Sequence, residues 1–153
     1  MAPNEGLLEI TPEADQVERA VRTWLQQYPD KPVNKLDYEF LGETLGLTVS
    51  TVQAAYKTSR GYIIGGYPAQ YQFSLLYAAT PTSTNERIEM DETLGKYAEW
   101  MDATVAEYLQ QYLPEKCRFR RLQRNTNAAF LSRDANGSEV HQILFTLQYE
   151  VNV

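Results

Sequence analysis

A chain of 153 residues is long enough to bury one core without disulfides or metals and too short for two well-packed domains, so a single domain over residues 1–153 is expected. Its 43% hydrophobic and 22% charged residues, with eleven tyrosines and five phenylalanines, argue for a globular chain over a disordered one. A net charge of −6 and a pI near 4.8 argue against general nucleic-acid binding, which needs a surplus of Lys and Arg to displace counterions.

Thr11-Pro12 predicts a helix start, with Thr11 as N-cap and Pro12 as the first helical residue, which has no N–H to lose. Val17, Ala20, Val21, Trp24 and Leu25 then recur at helical spacing, and Glu13, Asp15, Glu18, Arg19 and Arg22 take the other face. Pro29 and Pro32 bound this helix. Leu36, Tyr38 and Phe40 alternate with Lys35, Asp37 and Glu39 as a half-buried strand. Residues 46 to 58, rich in Val and Thr, predict a second strand.

Gly61, Gly65, Gly66 and Pro68 make a turn, because no Gly-Lys-Ser/Thr ending follows to cradle a phosphate. Tyr71, Phe73, Leu75, Tyr77 and Ala79 then share one face of a strand. Ser and Thr in PTSTNER cap a second helix with inward positions Met90, Leu94, Tyr97, Ala98, Met101, Val105, Tyr108 and Leu109, ending before Pro114. Glu89, Asp91 and Glu92 suit the solvated start of that helix, where the macrodipole favours carboxylates. RFRRLQR, AAFLSRD and SEVHQILFTLQYEV predict three strands, the last two joined at Asn136-Gly137. His141, Ile143, Phe145, Leu147, Tyr149 and Val151 share a face. Helix, strands, helix, strands is not the alternation of a doubly wound sheet, so the expected class is α+β, with a mainly antiparallel or mixed sheet and two principal helices on one face.

Candidate chemistry is sparse. One cysteine and one histidine cannot supply the four ligands of common structural zinc sites unless several chains share a metal, so no metal or cofactor is expected. Cys117 and His141 could form a dyad only by converging in a cleft, and Lys116 and Arg118 could lower the Cys117 thiol pKa. The plainer alternative makes Cys117 a small residue at a strand start and His141 the outer end of an apolar strand face. The lone cysteine excludes an internal disulfide, the first residues lack a signal-peptide pattern, and no apolar run reaches membrane-spanning length, so cytoplasmic folding without membrane contact is expected.

The strongest local charge feature is Lys116, Arg118, Arg120, Arg121 and Arg124, five cations within nine residues of an acidic chain. Edge strands use such charges against edge-to-edge pairing. They also suit an acidic protein neighbour or a phosphate backbone, since Arg binds either bidentately; the protein neighbour is favoured. The segment from Tyr62 through Tyr67 to Tyr71 offers a possible exposed contact loop, with core packing of Ile63 and Ile64 as its alternative.

The run from Gly61 to Met101, with a turn, a strand Tyr71 to Thr80, a polar link Pro81 to Asn85 and a helix reaching Trp100, is similar to small phage proteins described as minor capsid or tail terminator proteins. Residues 125 to 151 resemble that family's closing hairpin, and the two stretches cover roughly half of the sequence. The resemblance implies a virion protein without catalytic residues. Such a subunit forms a ring with itself, commonly sixfold, at the head-proximal end of the tail tube, after synthesis in the host cytoplasm. Its partners would be the major tail tube protein and a head completion or connector protein, with DNA passing through the lumen without sequence-specific binding. Outside the resemblance, the alternatives are an enzyme or ligand-binding domain using Cys117 and His141, or an adaptor protein of a mobile element.

Overall fold

The computed structural model describes residues 10–29, 37–38, 46–58, 65–133, 135 and 137–152. Helix α1 spans Ala14–Leu25 and begins two residues later than its sequence suggests. Thr11 does not cap it. The Thr11 amide donates to the Ala55 carbonyl at 2.9 Å and its hydroxyl meets that of Tyr149 at 3.3 Å, so the residue is tied to the sheet instead. Val17, Ala20, Val21, Trp24 and Leu25 are buried as expected. Glu13 and Arg22, expected on the solvated face, are buried too, because each finds a polar partner inside. Tyr67 donates to Glu13 at 2.6 Å, while Arg22 donates to the Val49 carbonyl at 3.1 Å and pairs with Glu18 at 3.5 Å.

Strand β1, Asp37–Tyr38, runs parallel to β2, Gly46–Lys57; the expected alternation at Lys35, Leu36, Glu39 and Phe40 lies outside the described residues. Strand β3, Tyr67–Ala79, pairs antiparallel with β2 and, without a break in register, with the last strand β6, Glu139–Val151. Between them in sequence come β4, Cys117–Arg124, and β5, Ala129–Arg133. The sheet order is β1-β2-β3-β6-β4, and β5 also pairs with β6, so β4 and β5 share one edge of the long central strand. Gly137, with φ +84°, serves the turn before β6 as anticipated.

Helix α2, Thr84–Thr104, continues through a π-helical turn, Val105–Leu109, into a final turn, Gln110–Tyr112. Ser83 caps it, accepting from the Glu86 amide at 3.2 Å, and Glu86 reaches back to the Thr82 hydroxyl at 2.9 Å. Met90, Leu94, Tyr97, Ala98, Met101, Val105 and Leu109 are buried, whereas Tyr108, expected with them, is exposed. In the wider π-turn from Val105 to Leu109, Leu109 keeps its inward place and Tyr108 turns outward.

Both helices cover the sheet face that carries Ala69, Tyr71, Phe73 and Leu75 of β3, opposite Tyr149, Leu147, Phe145 and Ile143 of β6. The core has two aromatic seams. Phe73 and Phe145 stack within the sheet at 5.3 Å, and Trp24 of α1 stacks on Trp100 of α2 at 6.0 Å. The fold is α+β, as its element order implies.

Candidate functional site

The arginine-rich segment is β4, an outer strand of the sheet. Alternation divides its side chains between the two faces. Phe119 and Leu122 register with Tyr149 and Leu147 and turn toward the helices, while Arg118 and Arg121 register with Glu150 and Gln148 and turn away from them. Arg120 sits where the register shifts, between Phe119 and Arg121, and pairs with Glu150. Arg124 lies on the helix side and donates to Asp102 of α2 at 2.9 Å. Arg118 and Arg121 are exposed and make no ion pair among the described residues. Thus two of the candidate arginines pair within the fold, and two point outward with no ion pair among the described residues.

The outer backbone edge of β4 is closed at its start. Gln110 donates from Nε2 to the Cys117 carbonyl at 2.9 Å and accepts from the Phe119 amide at 2.7 Å, taking the place of a neighbouring strand. Beyond β4, β5 is exposed along its whole length, and Phe130 and Leu131 stand among the exposed large apolar side chains.

Of the tyrosine segment, Tyr67 and Tyr71 belong to β3 and not to an exposed loop. Tyr62, with Ile63 and Ile64, lies outside the described residues. Tyr71 is only 1% exposed; it stacks on Phe73 and its hydroxyl meets Thr51 at 2.7 Å. Alternation from Ala69 onward fixes it on the core face, which removes it from the candidate surface. Tyr67 is half-buried with its hydroxyl turned inward to Glu13 and the Lys57 ammonium 4.5 Å above its ring. Burial and the Glu13 carboxylate both raise its pKa well above the ordinary value.

Cys117 and His141 are far apart. Cys117 registers with Val151, ten residues along β6 from His141, about 33 Å at strand rise. The thiol is buried, and burial with the Glu13 carboxylate pushes its pKa up to about 11 despite Lys116, the reverse of an activated cysteine.

His141 instead belongs to a buried charge network that crosses from β6 to α2 and β5. Its Nδ1 is 2.6 Å from Asp91 of α2 and its Nε2 is 3.1 Å from Glu139. Glu139 has no solvent exposure and also receives Arg87 of α2 at 2.8 Å and Arg133 of β5 at 2.6 Å. Phe130 sets its ring edge-on to His141 at 5.8 Å. Asp91 is therefore a link to the sheet, not merely part of a solvated helix start. The signal for Glu139 was present in the strand's own period, since it precedes His141 by two residues and a carboxylate there must find partners inside.

Desolvation raises the Glu139 pKa, but hydrogen bonds from Arg87, His141 and Arg133 outweigh it and bring it from the usual 4.5 down to about 2. The folded state thus favours the ionised form. The resulting stability is complete above about pH 4.5 and lost as pH falls toward 2. Glu139→Gln is expected to unfold at lower urea than the parent at pH 7, with the gap narrowing as pH drops from 4.5 to 3. A constant gap across that range would show that the network does not depend on this carboxylate.

A recess of about 330 Å³ opens between the end of β3 and the start of α2, lined by Tyr77, Thr80, Pro81, Glu86, Met90 and Thr93 among others. It contains none of the sequence candidates. Among the described residues, no group of three or more His, Cys, Asp or Glu side chains is placed to hold a metal ion. Among the described residues, no helix is long and apolar enough to cross a membrane. Comparison with protein-family profiles gives no match, and comparison with curated proteins gives none either.

Proposed function

We propose that this chain is a structural virion protein, a tail terminator or head-tail joining subunit of a long-tailed bacteriophage. Copies form a ring at the head-proximal end of the tail tube, end tube polymerisation and offer a docking surface to the head. DNA passes through the lumen without sequence-specific binding. The sequence resemblance supplies this reading. The observation that carries it is the outer border of the sheet, where Arg118 and Arg121 of β4 face outward without ion pairs among the described residues and, towards the other end of β6, β5 exposes Phe130 and Leu131. Arginines and aromatics bordering an exposed edge are the residue types that protein interfaces favour. A catalytic reading has less support, because the thiol and imidazole it requires lie at opposite ends of β6.

Electron microscopy of particles from a phage or prophage with only this gene disrupted tests the proposal. Filled heads separated from free, overlong tails are expected. Emptied or leaking heads would move the role to a head-side connector, and normal infectious particles would overturn the joining reading.

A further inference from the structure

The two layers place charge of opposite sign on opposite sides of the subunit. Helix α2 exposes Glu89, Glu92 and Glu99 on the side away from its buried stripe of Met90, Leu94, Tyr97 and Met101. At spacings of three and seven they form one ridge, with Lys96 beside it. Glu92 and Glu99 make no ion pair among the described residues. Arg118 and Arg121 project from the sheet face that the helices do not cover. Arg120 and Glu150 pair next to them, and among the described residues the three guanidiniums there outnumber that one carboxylate, so the corner carries positive charge.

The acidic ridge and the basic corner therefore cannot reach each other within one chain. A second copy can satisfy both. We propose that the Glu92 to Glu99 ridge of one copy docks on the Arg118 to Arg121 corner of the next, head to tail. This rests on the joining-ring reading and names a contact that would build the ring. Because the two patches differ, every added copy leaves one of each free until rotation closes the circle. Guanidinium forks can hold the carboxylates bidentately, which fixes orientation as well as attraction.

The sign of the charge separates this role from edge protection. A guarded edge needs charge of either sign, so Arg118→Glu with Arg121→Glu would leave a protected edge intact. Docking needs positive charge there.

Light scattering of the full chain during size-exclusion chromatography provides the test, with circular dichroism confirming that each variant is folded. At about 50 mM salt the parent chain is expected to assemble beyond the monomer and to fall apart near about 1 M, where screening is strong. The double variant R118E/R121E should lose the assembled species, and so should E92K/E99K. Mixed in equal amounts, the two should assemble again in alternation, since each then meets the opposite charge. A monomeric parent chain at low salt, unchanged assembly by either folded variant, or a mixture that stays monomeric would overturn the contact. Reassembly together with normal particles after gene disruption would keep the contact and remove the joining reading. Separated heads and tails with unaffected variants would do the reverse.

Discussion

Trp24→Ala is expected to lower the unfolding free energy by about 3–5 kcal/mol, the range for deleting a large aromatic side chain from a packed core. Trp24 is fully buried, stacks on Trp100 at 6.0 Å and donates from its indole nitrogen to the Thr104 hydroxyl at 3.1 Å. It is thus the main bolt between α1 and α2. The neighbouring Tyr97 hydroxyl, which donates to the Leu25 carbonyl, holds the end of α1 but cannot fill the space vacated by an indole. Trp24→Phe keeps much of that volume and loses the hydrogen bond, so a smaller loss is expected. Urea titrations should show a lower midpoint with an unchanged slope. A loss below about 1 kcal/mol for the alanine variant would mean that α1 is not anchored here.

The second large effect is expected at a glycine. Gly66 has φ +79°, and a Cβ built there would sit 2.5 Å from the Val151 carbonyl oxygen. Gly137 has a similar φ of +84° but open space around it. Alanine at Gly137 should cost about 1–2 kcal/mol, the left-handed backbone penalty alone. Alanine at Gly66 should cost more, because the start of β3 and the end of β6 must also move apart. Equal losses in thermal or urea unfolding would show that this close approach relaxes freely.

The long central strands were legible from sequence for a physical reason. In β3 and β6 the inward positions follow a strict period of two, and the same period fixes which residues meet across them. Helix α2 was legible through its Ser83 cap and apolar stripe until Val105, where the π-turn broke the spacing on which Tyr108 had been placed. Thr11 was misplaced because a capping residue looks the same in sequence whether its hydroxyl meets a helix or, as here, a tyrosine on the sheet.

The candidate surface was only half legible. That β4 carries exposed arginines follows from composition and alternation. Which of them are engaged does not, because Glu150 and Asp102 lie 30 and 22 residues from their partners Arg120 and Arg124. Both pairings also depend on a register shift that no local pattern announces. The tyrosines misled in the opposite direction: their clustering near glycines resembled a loop, while alternation carried Tyr71 into the core.

The Gln110 clamp on β4 has a consequence for what the sheet can become. A foreign strand approaching this border meets a carboxamide already seated at Cys117 and Phe119, and beyond it only the short run Arg121–Arg124 past the irregularity at Arg120. Cross-molecular sheet growth there has too little length to propagate. Copies that meet along this border must therefore recognise one another through side chains and not by continuing the sheet from one molecule into the next.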